Sequence, residues 1–150
     1  MDLIRLTDGD TSVRVRILGR RSPGNLQLHD LLDAEVVLET SFISGRLAIC
    51  CCPADLNAWS QALDALGAGR DIEWLDLGNG PVIRIEAFNE EQETPVVTIE
   101  DGWASCTTAV VPLDLADGWV DEQRRLLDDV VRIWPSETRQ TAPGVYEWRR

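Results

Sequence analysis

Apolar and polar positions alternate with a period of two through the opening of the chain. Leu3-Ile4-Arg5-Leu6 reads as a short strand, and Val13-Arg14-Val15-Arg16-Ile17 alternates as a strand with one wet face does. Asp8-Gly9-Asp10 between them suits a tight turn, since glycine tolerates positive φ and aspartate bonds its own backbone, so the two runs predict a hairpin. Arg20-Arg21-Ser22-Pro23-Gly24-Asn25 opens a loop that runs to residue 30. Ala34-Glu35-Val36-Val37-Leu38-Glu39-Thr40 is a third strand, Ser44-Gly45 a turn, and Arg46-Leu47-Ala48-Ile49-Cys50-Cys51 a fourth strand.

The period then changes. Leu56, Trp59, Leu63 and Leu66 fall on one helical face; Pro53 suits the first helical position, and Asp55 suits the positive end of the helix dipole. Gly67 and Gly69 supply the stop, which predicts a helix over about residues 53–67. Four more strands follow: Ile72-Glu73-Trp74-Leu75, Val82-Ile83-Arg84-Ile85-Glu86-Ala87-Phe88, Val96-Val97-Thr98-Ile99-Glu100 and Cys106-Thr107-Thr108-Ala109-Val110-Val111. Their turns are Gly78-Asn79-Gly80-Pro81, Asn89 to Thr94, and Asp101-Gly102.

A second helix is expected from about Gly118 to Ile133 or Trp134, capped by Asp117 and stopped by Pro135. Val120, Leu127, Val131 and Trp134 form its apolar stripe, flanked by Ile133 and Val130, with Asp121, Glu122, Asp128 and Asp129 on other faces. Residues 136–150 read as a polar C-terminal tail free to move, with a short extended piece at Val145-Tyr146-Glu147-Trp148. The order ββββαββββα predicts one α+β domain over residues 1–150: about eight strands in an antiparallel sheet, with two amphipathic helices packed on it.

At 150 residues the chain can bury roughly two thirds of its unfolded surface, and a 44% hydrophobic content supports a core rather than disorder. The N-terminus shows no secretory pattern and no stretch approaches the roughly 20 apolar residues of a membrane span, so the expected location is cytoplasmic. Cys50, Cys51, Cys52 and Cys106 fit a reducing compartment. All 14 basic residues are arginine, which suggests a GC-rich genome.

The formal net charge of −12 is concentrated in residues 71–131, which hold 15 acids against three arginines. Such a field repels nucleic acid and anionic membrane and attracts basic proteins; the plainer account is that it maintains solubility.

Little in the chain points to catalysis or to a cofactor. Cys50, Cys52 and Cys106 with His29 lack the short paired spacing of structural zinc, and Cys50 and Cys52, on one face of a strand end, read as core; no metal is expected. His29 could form a base with Asp30 or Asp33, but no nucleophile motif accompanies it. Gly67-Ala68-Gly69 ends a helix, whereas a phosphate loop opens one. Glu90, Glu91 and Glu93 sit in a loop without the spaced calcium pattern. Of the six tryptophans, Trp59 and Trp134 read as core and Trp74 as strand, while Trp103, Trp119 and Trp148 lie where an interface anchor could stand.

Several segments together resemble an actinobacterial domain family of unknown function, common in Streptomyces-like genomes. They are Met1-Asp2-Leu3-Ile4-Arg5-Leu6, Val13 to Arg20, Asp33-Ala34-Glu35-Val36-Val37, Ser44-Gly45-Arg46-Leu47, Trp59 to Leu66, Val111-Pro112-Leu113-Asp114, and Gly118-Trp119 to Trp134-Pro135. The resemblance spans nearly the whole chain and implies no catalytic motif. A looser likeness, in strand order and in the helix start Pro53-Ala54-Asp55-Leu56-Asn57-Ala58-Trp59, is to WapI-type immunity proteins, from which the triple cysteine departs. It implies an acidic protein-binding module that occludes a basic, toxin-like partner. Glu90, Glu91, Glu93, Glu100, Asp101 and Trp103 are the expected contact residues. The other reading is a structural or regulatory interaction domain without catalysis, either a homodimer or a subunit of an assembly.

Overall fold

In the computed structural model, which describes residues 1–76 and 80–150, the alternating runs form strands and the two helical runs form helices. The first half is β1 (Asp2–Asp8), β2 (Thr11–Arg20), β3 (Leu32–Glu39), β4 (Ser44–Cys51) and α1 (Pro53–Gly67). The second half repeats that order with β5 (Ile72–Trp74), β6 (Val82–Asn89), β7 (Thr94–Asp101), β8 (Thr107–Pro112) and α2 (Trp119–Ile133), followed by β9 (Thr138–Ala142) and β10 (Val145–Trp148). The turn expected at Gly78-Asn79-Gly80-Pro81 lies partly outside the described residues.

The α+β class holds, with antiparallel pairing throughout the described strands. The eight central strands are not one sheet but two meanders, in the orders β1-β2-β3-β4 and β5-β6-β7-β8, and β9 pairs with β10 separately. The physical reason is the single apolar face of each meander. Val15, Val36 and Ile49 on the first and Ile85, Val97 and Val111 on the second bury together in one core, whereas one wide sheet would carry all these residues on a single face for two helices to cover.

The face expected for α1 is the face it buries. Leu56, Trp59, Leu63 and Leu66 enter the core, Pro53 sits in the first turn, and Asp55 Oδ2 accepts the Cys52 N–H at 2.8 Å, satisfying an end group of the helix. Trp59 packs against Trp74 at 5.5 Å between ring centroids, and Trp74 Nε1 donates to the Asp55 carbonyl at 2.9 Å. These contacts fix α1 across the short β5. Leu75, included in the expected strand, has φ 65°, a left-handed conformation that ends β5 at Trp74.

Two expectations for α2 need correction. The residue before the helix is Gly118 at φ 78°, which glycine adopts at little cost, and not Asp117. Its buried residues are Gln123, Leu127 and Val130, flanked by the partly buried Val120 and Trp134, while Val131 is 45% exposed. The helix lies along β1 and is rotated to bring Gln123, a polar residue, against the strand. Among the described residues, no helix is long and apolar enough to cross a membrane.

Residues 136–150, read from sequence as a tail, hold the β9–β10 hairpin, whose Thr138 is buried against Asp30 in the β2–β3 connection.

Candidate partner-binding cleft

A four-stranded sheet has two edges, and an uncovered edge presents unpaired peptide groups. On β1 that edge is closed by α2: Gln123 Oε1 accepts the Arg5 N–H at 2.8 Å and Gln123 Nε2 donates to the Arg5 carbonyl at 2.9 Å. On the second sheet, β5 is only three residues long and packs beside α1. The remaining edges are β8 and β4.

Strand register identifies which groups those edges expose. Antiparallel pairs alternate between hydrogen-bonded and non-bonded positions. The Leu113 N–H donates to the Pro95 carbonyl, so at the next positions of β8 the backbone groups of Thr108, Val110 and Pro112 point away from β7. Pro112 has no N–H to offer, which blunts this edge. On β4, the Thr40 N–H donates to the Ile43 carbonyl at the turn; the alternation then aims the backbone groups of Ser44, Arg46, Ala48 and Cys50 away from β3. Their side chains are exposed or half-buried, whereas Ile49 and Cys51 on the opposite face are buried.

Both β4 and β8 border one apolar cleft. Its walls are Val36, Leu38 and Leu47 of the first sheet and Ile99 and Ala109 of the second, with Ile43 at one end. The cavity measures about 220 Å³. Since about 150 Å³ accommodates a benzene ring, this space takes one or two branched or aromatic side chains and is too small for most cofactors.

Two fixed turns frame the mouth. In the β3–β4 turn, Thr40 Oγ1 accepts the N–H groups of Phe42 at 3.1 Å and Ile43 at 2.9 Å. In the β7–β8 turn, Asp101 accepts the Ser105 hydroxyl at 2.6 Å, the Ser105 N–H at 3.0 Å and the Ala104 N–H at 3.4 Å. The Ser105 hydroxyl, followed by its amide, holds the Asp101 carboxyl below the usual carboxylate range. These turns carry Phe42, 91% exposed, Ile43, 48% exposed, and Trp103, 72% exposed.

The six expected contact residues fall in two places. Glu100, Asp101 and Trp103 are at the cleft end of β7, and the exposed Glu90, Glu91 and Glu93 are on the turn at its other end. At about 3.3 Å per residue, the eight residues of β7 separate those ends by roughly 23 Å, so the acids and Trp103 form no single patch. Glu100 faces away from the core and pairs with Arg84 at 2.7 Å, which also holds Glu73 at 2.6 Å. Asp101 is occupied within its own turn. Of the six, Trp103 alone is an exposed large apolar side chain, on the turn whose Asp101 and Ser105 line the cleft; Phe42 and Ile43, on the other bordering turn, are exposed apolar residues outside the expected set. The signal was available: an apolar pair in a turn, where polar residues are the rule.

His29 is held on both ring nitrogens. Nδ1 accepts the Gly24 N–H at 2.8 Å, so Nε2 carries the proton and meets Glu137 Oε2 at 2.5 Å, with Trp148 edge-on to the ring at 4.8 Å. This geometry leaves no nitrogen for base catalysis. Asp30 beside it pairs with Arg20 at 3.0 Å. Burial pushes its carboxyl up, but hydrogen bonds from the amides of Glu137 and Thr138 and the hydroxyls of Ser136 and Thr138 outweigh that and hold it at about 2.

The four cysteines are free. Cys51, and not Cys50 or Cys52, lies in the core, because the strand alternation that buries Ile49 buries the residue two further on. Burial raises the Cys50, Cys51 and Cys52 thiols. Among the described residues, no group of three or more histidine, cysteine or acidic side chains is placed to hold a metal.

The fold and cleft define an α+β domain of two facing antiparallel meanders with an apolar opening between an edge of each. Residues 1–135 match the model of a family of unknown function, DUF5959, and the chain belongs to that family. No curated protein and no solved structure matches it. The family match ends before β9, so the terminal hairpin lies beyond it.

Proposed function

We propose that the chain is a protein-binding module that seats its partner at the cleft between β4 and β8, with Phe42, Ile43 and Trp103 as anchors. The observation that carries this reading is the coincidence of an apolar cavity with three exposed large apolar side chains on fixed turns. Aromatic residues beside a desolvated pocket supply the binding energy of many protein interfaces, and isolated exposed apolar residues need no such company. The engaged His29 nitrogens and the raised Cys50, Cys51 and Cys52 thiols favour binding over chemistry.

The partner is a basic protein. The net charge of −12 accelerates its encounter, while the cleft sets its residence time. An immunity-type role, in which the module covers a basic toxin, suits this division. A regulatory subunit using the same surface is the second reading, favoured by the uncovered edge of β4.

Affinity capture with the wild-type chain and the Phe42→Ser/Trp103→Ser double variant, at low and high salt, tests the reading. The expected result is a basic protein held by the wild type, weakened by salt and lost with the variant. A partner retained equally by both chains, or none on either, contradicts it.

A further inference from the structure

Resting on the reading that the cleft holds a protein, we infer that the partner enters as an extended segment that pairs with β4 and so becomes a fifth strand of the first sheet. Ser44, Arg46, Ala48 and Cys50 turn their backbone groups outward, and no hydrogen bond from the described residues meets them. Such a row is a template for another strand.

The state of the other edges singles this one out. Gln123 closes β1, α1 lies beside the short β5, and Pro112 interrupts the donors of β8. The eight residues of β4 contain no proline and pair with β3 in unbroken register from Leu32↔Cys51 to Glu39↔Ser44, without a bulge. Two covered edges, a third blunted by Pro112, and an open, proline-free one beside an apolar cleft define a place for one more strand.

Strand geometry specifies the segment. Its side chains alternate between two faces. One set enters the cleft against Leu47, Ile99 and Ala109, where about 220 Å³ is open, and the other meets solvent. The segment therefore carries an apolar residue at every second position. Its carrier is basic: a formal net charge of −12 attracts a cationic protein and repels a second copy of this chain, so pairing between two β4 edges is disfavoured.

The probe is a blocked peptide of eight residues, the length of β4, in which valine alternates with arginine. Hydrogen exchange at the Arg46 and Ala48 amides reads the pairing directly. At saturation the peptide is expected to slow both by about tenfold or more. A copy N-methylated at every amide, which can donate from neither edge, keeps the charge and is expected to bind about tenfold more weakly, equivalent to about 1.4 kcal/mol, without protecting β4. Ala48→Pro removes an outward N–H and leaves the ladder to β3 intact, so it is expected to abolish protection while retaining the wild-type circular dichroism; the N-methylated peptide decides the matter if that variant does not fold.

Equal binding of the two peptides, or no protection of β4, overturns strand addition. Equal binding of a valine–glutamate peptide overturns the basic carrier, and protection of β4 in a peptide-free dimer assigns the edge to a second copy. The reading of the cleft fails separately, when partner binding is indifferent to Phe42 and Trp103.

Discussion

Gln123 on α2 and Arg5 on β1 exchange the two hydrogen bonds that a neighbouring strand would otherwise supply. The side-chain carboxamide presents one acceptor at 2.8 Å and one donor at 2.9 Å to the backbone of an edge residue, and the donor also reaches the Trp119 carbonyl at 3.2 Å. Gln123 is fully buried, so water cannot replace it.

Replacing Gln123 with leucine therefore removes the partner of the Arg5 N–H and carbonyl and buries an apolar side chain against them. The expected loss is about 2–4 kcal/mol of stability, read as a lower midpoint in urea denaturation. The variant should also associate at concentrations where the wild type does not, because the edge of β1 is no longer closed. An unchanged midpoint would show that the pair does not hold α2 in place.

Asp30 makes stability depend on acid pH. Its folded value of about 2 lies below the ordinary aspartate value of roughly 3.9, so the unfolded chain binds the proton more readily. The stabilisation is present above about pH 4 and is lost as the pH falls from there through about 2. Allowing for solvent screening, it amounts to about 1–2 kcal/mol. Asp30→Asn should lower the melting temperature at pH 7, and the two curves should converge towards pH 2.

The terminal hairpin and Asp30 should act as one unit, because Ser136, Glu137 and Thr138 supply the hydrogen bonds to that carboxylate. A chain ending at Pro135 should remain folded and lose about 1–3 kcal/mol. Adding Asp30→Asn to it should cost less than the sum of the separate changes, as measured by denaturation of all four proteins.

Thiol labelling should distinguish the cysteines. At pH 8 a disulfide reagent should modify the exposed Cys106 first, then Cys50 and Cys52, and reach the core residue Cys51 on the timescale of unfolding. Mass mapping of the labelled peptides against time checks the order.

What the sequence made legible were features that repeat within one element. The spacing of Leu56, Trp59, Leu63 and Leu66 was enough to identify the buried face of α1, because an apolar stripe has one way to be covered. The same argument placed Val131 in the core, where it is not. The rotation of α2 depends on Gln123 meeting Arg5, a pair separated by 118 residues that no local period reveals. The division into two sheets was hidden for the same reason, since eight alternating strands fit one sheet as well as two.

The candidate surface was legible in part. Trp103 was recognised, but nearness in sequence grouped it with Glu90, Glu91 and Glu93, which an intervening extended strand carries to the opposite end of the sheet. Phe42 and Ile43 lie some 60 residues earlier in the chain, and only the packing of the two meanders brings their turn to the same cleft.

The most direct test of the cleft is the affinity of a captured partner for three chains: the wild type, Phe42→Ser/Trp103→Ser, and Glu90→Gln/Glu91→Gln/Glu93→Gln. The account predicts a loss of about 100-fold or more for the aromatic pair, from faster dissociation. The acid triple should mainly slow association, by a factor of about ten or less, with a flatter salt dependence. The reverse ranking, with the aromatic pair indifferent and the acids decisive, would contradict the cleft as the binding site.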